Sequence, residues 1–547
     1  MTSYEICIVG GGPVGQLAGI LLGQRGHRVG IFERWPDPYP LPRACGLSHE
    51  PVRVLQSAGL GEQFTEVSDA VIGAQGTYHF TNAKGETLRE LVWTDLGDSG
   101  WPEMSTFYQP DVERIFAEAL DRLPNVELFR GVECTKIEQG PDRVVLTLNG
   151  VELGPDPTVV TLKAEDVRTV EASYVIGADG ANSIVRDVIG AEIEDLGFAF
   201  DWLVVDTIPR EARVWDPYLE QRCDPARPTT AVPSGPGRRR WEFMRLPGES
   251  MEELNTPETA WRLLEPWDIT PENAQLVRHA VYTFRGRWAD RWRDGRLILA
   301  GDAAHLMPPF LGQGLGSGIR DVIAMAWRLD LVLRGVASDT LLDSYTPERL
   351  GHVRQVIGQS VEAGRAICIL DPEGAAERDR AMLAARNNPQ YVAAPPPWRL
   401  GPGLWREDDD NAGIPFVQGT IVSEGRRGKF DDVVGGGFLL LGRNTDPENS
   451  LGPEAREVWN RVGGRGLHVA PGGPVDDVDG VYTRWFDQRN VDLVLVRPDF
   501  IVLGTANADD GADDLVRWLG AALPPAGKTT VPPQDLEAAV PGGRVRS

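Results

Sequence analysis

The chain has 547 residues, 41% hydrophobic and 25% charged, which is ordinary for a folded protein of two or three domains, each with its own core. Fifty-five basic residues against 80 acidic ones leave a net charge of −25, which argues against a broad nucleic-acid surface but allows a small anionic ligand held by a few local arginines. The cysteines, Cys7, Cys45, Cys134, Cys223 and Cys368, form no short-spaced pair, so reduced thiols in a cytoplasmic protein are expected, with no metal site, signal peptide or membrane span.

The first element in chain order is residues 4–34, "YEICIVGGGPVGQLAGILLGQRGHRVGIFER". "EICIVG" predicts a short buried strand. "PVGQLAGILLGQRG" places Leu17, Ile20, Leu21 and Gln24 at helical spacing, and "HRVGIFE" predicts a second strand ending at Glu33. The first strand-to-helix turn is Gly10-x-Gly12-x-x-Gly15. Gly10 permits the tight turn, Gly12 lets backbone approach a pyrophosphate, and Gly15 lets helix and strand pack closely. The helix start then offers free N–H groups to the phosphates. Glu33 is placed to accept ribose hydroxyls and disfavours a 2′-phosphate. A dinucleotide site is predicted, with NAD and FAD both open.

"FYQPDVERIFAEAL" predicts a helix entered at Pro110, with Gln109 just before it. "ASYVIGADGANSIVRDVIG" is an apolar strand running into Gly177-Ala178-Asp179-Gly180 and a helix. Between these elements, alternating polar and apolar positions with turn signals predict antiparallel sheet. "TTAVPSGPGRRRWEFMRL" reads as a hairpin, and a period of two places Arg239, Trp241, Phe243 and Arg245 on one face. That face suits either an aromatic ligand or plain packing. "GRLILAGDAAH" is another buried strand, ending at Gly301-Asp302. It leads into "PPFLGQGLGSG", two prolines and a run of glycines ahead of a helix. Three strand-to-glycine junctions far apart in sequence can meet at one sheet edge, where ligands bind. His305 is expected to be a hydrogen-bonded structural residue.

The GxGxxG unit, "GADG" and "GDAAH…PP…GQG", in this order, resemble the flavoprotein aromatic hydroxylases of the para-hydroxybenzoate hydroxylase superfamily, single-component FAD monooxygenases. "DWLVVDT" (201–207), "CDPARPTT" (223–230), "RRRWEFMRLPGE" (238–249) and "LLDSYTPERLGHV" (341–353) resemble its meta-hydroxyphenylpropionate hydroxylase-like branch. The resemblance implies hydroxylation of a small phenolic substrate with O2 and NADH or NADPH, through a flavin C4a-hydroperoxide, with the nicotinamide bound only transiently. It implies FAD contacts from Gly10, Gly12, Pro13, Val14, Gly15, Glu33, Arg34, Arg43, Gln109, Asp179, Asp302, Gly312, Gly314, Leu315 and Gly316. Asp302 would bond the ribityl chain, and the loop carrying Pro309 would lie along the flavin ring, where a Cβ would collide. The next helix start would face the ring edge that becomes negative on reduction. Gly316 departs from members with a side chain there and leaves only main-chain N–H groups. Arg239, Trp241 and Phe243 are the expected substrate contacts, and the residue that deprotonates the phenol is not visible.

The expected fold is an α/β Rossmann-type FAD-binding domain (1–70, 109–190 and 285–400) interleaved with an antiparallel-sheet substrate domain (71–108 and 191–284). A linker (401–415) then leads to a thioredoxin-like domain (416–524) and a loose tail (525–547). No cysteine follows Cys368, so that domain is expected to serve packing or homodimerisation and not redox chemistry. Two rival readings stand beside the hydroxylase: an epoxidase or Baeyer–Villiger oxygenase for a larger polycyclic substrate, and a non-catalytic flavin- or ligand-binding protein.

Overall fold

The buried β-branched runs become the parallel centre of an eight-stranded sheet in the computed structural model, which describes residues 2–38, 43–93, 95–154, 160–388, 398–507, 511–523 and 525. Leu297–Leu299, Val160–Gly177, Thr2–Val9, Val29–Glu33 and Val126–Arg130 lie side by side and run parallel. The middle strands are covered on both faces, which is why they read as continuous apolar runs and not as alternating ones. Helix Pro13–Gly23 is buried from Gly15 to Gly23 and packs against helices Gln109–Leu120 and Gly314–Leu333.

A second eight-stranded sheet gathers the segments expected to bind substrate. Its order is His305–Leu306, Ala274–Ala289, Ile193–Pro209, Arg239–Met244, Thr229–Pro233, Leu219–Arg222, Thr77–Thr81 and Thr87–Val92. Neighbours are antiparallel except Leu219–Arg222 with Thr77–Thr81. Strand Ala274–Ala289 passes the expected boundary at 284 and stays in this sheet. One face of the sheet is closed by residues 251–267. The other meets the first domain, where the Phe310 ring packs on Trp202 and Phe284, with centroids 5.6 and 6.2 Å apart.

The C-terminal region forms a seven-stranded sheet with helices on both sides. Leu440, Leu495 and Leu503 pack on helices Pro453–Val462 and Gly511–Ala522, and Leu439, Leu441, Val494 and Val496 pack on helix Val481–Arg489. That alternation follows the pleat. The stretch expected as a linker is packed: Leu404, Trp405 and Ala412 are buried, and the Leu404 N–H donates to Glu348 at 2.5 Å. Of the expected tail, only Pro525 lies within the described residues. Among the described residues no helix is long and apolar enough to cross a membrane, and no cluster of His, Cys, Asp and Glu is arranged to hold a metal ion.

Candidate active site

Three strand ends open on one edge of the parallel sheet. The pairings Val9↔Gly177 and Gly177↔Leu299 hold them level. Glycines allow this closeness. Gly10 has φ +102°, and a Cβ there would lie 2.3 Å from the Ala178 carbonyl oxygen. A Cβ on Gly15 would lie 2.0 Å from the Gly10 carbonyl oxygen, and one on Gly318 would lie 2.7 Å from Val14. Gly12 is different. It caps the helix that starts at Pro13, and a Cβ there would meet nothing within 4 Å. Gly10 and Gly15 therefore serve packing, whereas Gly12 fronts open space before a helix N-terminus, a seat for an anion.

Glu33 stands beside this seat. Its carboxylate accepts the N–H of Gly11 at 2.6 Å and of Trp35 at 2.8 Å, which fixes it while leaving lone pairs for ribose hydroxyls. Arg34 lies 3.7 Å from Glu133 and over the Trp35 ring, as a surface pair. Farther along, Arg43 Nη1 donates to Asp302 Oδ2 at 2.7 Å, with both side chains well exposed. Gln109 holds that loop: its Oε1 accepts the N–H groups of Arg43 and Ala44, each at 2.9 Å. Its other end donates to Glu113, so the side chain is a loop fastener.

Asp179 departs from expectation. Its Oδ1 accepts Ser183 Oγ at 2.5 Å and its Oδ2 accepts the Ile184 N–H at 2.8 Å. The start of helix Ile184–Ile189 supplies unpaired donors, and the nearest carboxylate caps them. In the structure this side chain serves the helix start. Arg186, one turn on, ties two glycine junctions together by donating to the carbonyls of Ala181 and Ala303. His305 is buried, with Nε2 2.7 Å from Asp321 Oδ2. Asp321 also accepts Arg349 Nε and the Gly301 N–H. Burial alone would raise its carboxyl, but His305 and Arg349 hold it below the ordinary value.

The glycine loop follows. Pro309–Leu311 form one tight turn, Gly312 has φ +64°, and Gly314, Leu315 and Gly316 are the first turn of helix Gly314–Leu333. The Pro308 carbonyl accepts Ser360 Oγ at 2.7 Å, which fastens the loop to helix Tyr345–Ile367.

The expected substrate residues lie on the face turned away from the glycine loop. Trp241 and Phe243 pack with Trp267 in the cluster closed by residues 251–267. Arg239 lies over the Trp215 ring, and burial pulls its guanidinium down to about 10. The period of two was legible but its phase was not, because both faces of this strand carry aromatic or charged residues that are buried. The face turned to the glycine loop holds Arg240, Glu242 and Met244, which pair across the sheet with Asp206, Val204 and Trp202. Asp206 accepts Arg240 Nε at 2.8 Å and Arg278 Nε at 2.6 Å. Burial pushes its carboxyl up, and the two guanidiniums more than reverse that. Arg240 Nη1 reaches the Arg43 carbonyl at 2.5 Å, which joins this face to the edge of the nucleotide groove. Sequence reasoning missed these residues, although Asp206, Arg240 and Glu242 lie inside motifs that carried the resemblance.

The arrangement fits FAD. Open space lies before Gly12, Arg43 and Asp302 offer a cation and an acceptor along the groove, and the loop from Pro309 to Gly316 has no side chain at Gly312, Gly314 and Gly316. Such a scaffold is that of a flavin-dependent oxidoreductase that works in a cleft between a nucleotide-binding sheet and a covering sheet. Comparison with known proteins agrees. The family described as an FAD binding domain matches residues 3–360, and the HcaD C-terminal domain matches residues 413–521. A probable NADH-specific resorcinol 4-hydroxylase of Rhodococcus jostii (strain RHA1) is 36% identical, with 96% of each chain covered. A 3-(3-hydroxy-phenyl)propionate/3-hydroxycinnamic acid hydroxylase of Paraburkholderia xenovorans (strain LB400) is 32% identical over 97% of this chain and 94% of its own. The solved flavin-dependent monooxygenase PieE shares the fold with a TM-score of 0.77 at 21% identity, covering 95% of this chain and 99% of its own. The chain belongs to the FAD-dependent aromatic hydroxylases of the para-hydroxybenzoate hydroxylase superfamily, and it is a flavoprotein monooxygenase.

Proposed function

We propose that the protein hydroxylates a small phenolic ring that carries no carboxylate, resorcinol being the model compound, with NADH as reductant. The observation that carries this reading is the charge balance of the face above the glycine loop. Asp206 engages both Arg240 and Arg278, and with Glu242 beside them this face already sets two carboxylates against two guanidiniums. A substrate carboxylate would add a third negative charge beside Asp206 and Glu242, at a cost in a buried setting. The name of the Rhodococcus relative supports both resorcinol and NADH.

FAD, when bound, supplies the chemistry that activates O2 and transfers one oxygen atom to the ring. The chain's own part is binding, orientation and exclusion of water. Gly12 and the start of helix Pro13–Gly23 take the pyrophosphate, with Arg43 as counter-charge. Glu33 takes the ribose, and Asp302 takes the ribityl hydroxyls. Val14 fills the gap beside Gly301 and Gly318. The segment from Pro309 through Gly312, Gly314, Leu315 and Gly316 lines the ring, and the helix start favours negative charge there by about 0.3–2 kcal/mol. Trp202, Phe284 and Phe310 close the cleft against water, which suppresses loss of the activated oxygen as peroxide. Residues 416–524 are read as a thioredoxin-like packing module, with cytoplasmic residence and a homodimer as the working expectation.

The test is aerobic NADH consumption by the purified yellow protein across resorcinols, hydroxybenzoates, hydroxycinnamates and hydroxyphenylpropionates, with product mass and peroxide recorded. A resorcinol that accelerates consumption and gains one oxygen atom supports the reading. Hydroxylation only of a carboxylated phenol removes the charge-balance argument. Peroxide alone across the panel points to a different, larger substrate.

A further inference from the structure

On the side of the Arg239–Met244 strand that faces the glycine loop there is a carboxylate the protein does not use. Glu242 is buried at 7% exposure. The charged group nearest it is Arg240 Nη1, at 4.0 Å, beyond hydrogen-bond range. No hydrogen bond within the described residues ends on its carboxylate. Its neighbours are committed elsewhere. Arg240 donates to Asp206 and to the Arg43 carbonyl. Thr230, opposite Glu242 in the sheet, donates to Gln221 at 2.8 Å, and Tyr78 donates to the same oxygen of Gln221 at 3.4 Å. A buried carboxylate that accepts nothing from the polar groups around it calls for a partner outside the chain.

The position of Glu242 says which partner. The Arg240–Asp206 row touches Arg43, at the edge of the nucleotide groove, and the Met244–Trp202 row touches Phe310 of the glycine loop. Glu242 and Val204 form the row between. A ring held between loop and sheet therefore meets Glu242 as its one ionisable group with acceptor capacity unspent. We propose that Glu242 is the group that takes the proton of the substrate's phenolic hydroxyl. This rests on the phenol-hydroxylase reading above. The O–H bond breaks, the proton passes to a Glu242 carboxylate oxygen, and the electron pair stays on the phenol oxygen, which enriches the ortho and para carbons. Once the new C–O bond has formed, the attacked ring carbon gives up its hydrogen as a proton, which goes to the oxygen atom of O2 that is not transferred and leaves as water, and Glu242 returns its proton to the phenol oxygen.

The surroundings suit a base. Burial lifts the Glu242 carboxyl above the ordinary value and Asp206 adds to that, while Arg240 and Arg278 pull against them. Tyr78 and Cys45 also face it, both kept protonated by burial. A raised carboxyl lies closer to a phenol in proton affinity, which makes the transfer more effective.

The experiment compares Glu242→Gln and Glu242→Asp with the wild type. It uses resorcinol, which is neutral at the assay pH, and a nitro-substituted phenol, which is already ionised. FAD content, substrate affinity and the rate of flavin reduction by NADH are measured beside product formation. The expected result for Glu242→Gln is retained FAD and a loss of about 10²- to 10⁴-fold in hydroxylation of the neutral phenol. The acidic limb of its pH profile disappears, and the ionised phenol, whose charge no longer meets a Glu242 carboxylate, is hydroxylated at least as fast as by the wild type. Glu242→Asp keeps an intermediate rate and the acidic limb, and it decides the matter should the Gln variant lose FAD. Equal loss for both phenols, or an unchanged rate with the neutral one, overturns the proposal and leaves the hydroxylase reading standing. Failure of the wild type to hydroxylate any phenol overturns both.

Discussion

Two interfaces of this molecule bury charge, and they do so in opposite ways. At the junction of the first and C-terminal domains, Glu348 accepts Arg328 Nη2 at 2.6 Å, Arg497 Nη1 at 2.9 Å and the Leu404 N–H at 2.5 Å. Arg497 is held a second time by both oxygens of Asp499. At the cleft between glycine loop and covering sheet, Glu242 accepts nothing from the described residues, and Arg278 Nη2 is buried without a partner. A saturated cluster holds elements together. An unsaturated one keeps donor and acceptor capacity for a group from outside the chain.

The largest expected effect breaks the saturated side. Glu348→Ala leaves two buried guanidiniums, Arg328 and Arg497, with Asp499 as their one shared carboxylate, so unfolding stability should fall by about 3–5 kcal/mol, read by chemical denaturation of the holoenzyme. Glu242→Gln removes a buried charge that lacks compensation, so stability in the same assay should hold or rise. If the two variants lose stability alike, the distinction between the interfaces is gone.

Acid separates them next. Burial opposes ionisation of Glu348 and Asp499, but their arginines hold both carboxyls below the ordinary value. A depressed folded-state pKa gives stability that is present above the unfolded value of about 4 and lost as pH falls through the folded one. Glu242 is shifted the other way, so its proton uptake begins at higher pH. Hydroxylation should therefore decline on acidification before the melting temperature does, and thermal scans beside rate measurements at each pH show the order. Coincident declines would mean that unfolding, not a base, sets the activity profile.

The glycines sharpen the same contrast within one turn. Gly15→Ala places a methyl 2.0 Å from the Gly10 carbonyl oxygen, so the helix must shift; a cost of about 1–3 kcal/mol follows, together with lost FAD. A methyl at Gly12 meets open space, so Gly12→Ala should cost the apoprotein about 1 kcal/mol at most, the loss of a favourable cap residue, while FAD affinity drops. Titration of apoprotein with FAD by flavin fluorescence separates the two.

What the sequence could and could not disclose follows from the same physics. The first βαβ unit was legible because Gly10, Gly12 and Gly15 are required by local backbone geometry, and the parallel strands were legible because both faces are apolar. The resemblance supplied what local physics does not, the flavin and the oxygen chemistry. The covering sheet was visible as alternation, but Arg239, Trp241 and Phe243 were chosen over Arg240 and Glu242. A pleat fixes which residues share a face and leaves open which face meets the cofactor, a matter settled by Phe310 some seventy residues away. Asp179 shows a related ambiguity: a carboxylate after a strand serves a helix start as readily as a ligand. The commitment of 401–415 to packing was hidden too, because its anchor, Glu348, lies in another helix.

The smallest expected effect on stability falls on the pair with the shortest reach into the groove. Arg43 and Asp302 are 2.7 Å apart, with side chains 54% and 38% exposed. A pair this open is screened by water and contributes about 0.2–1 kcal/mol at most. Neither residue is needed for the fold, since Gln109 holds the Arg43 loop through backbone N–H groups that survive substitution. Arg43→Ala should therefore leave the melting temperature of the apoprotein nearly unchanged and weaken FAD about tenfold, the loss of one exposed charge-assisted contact of roughly 1.4 kcal/mol. Raising salt should erode the wild-type affinity toward that of the variant. A variant that binds FAD as tightly as the wild type at low salt would mean that the Arg43–Asp302 pair persists in the holoenzyme as a surface ion pair, and that the pyrophosphate is held by the Gly12 helix start alone.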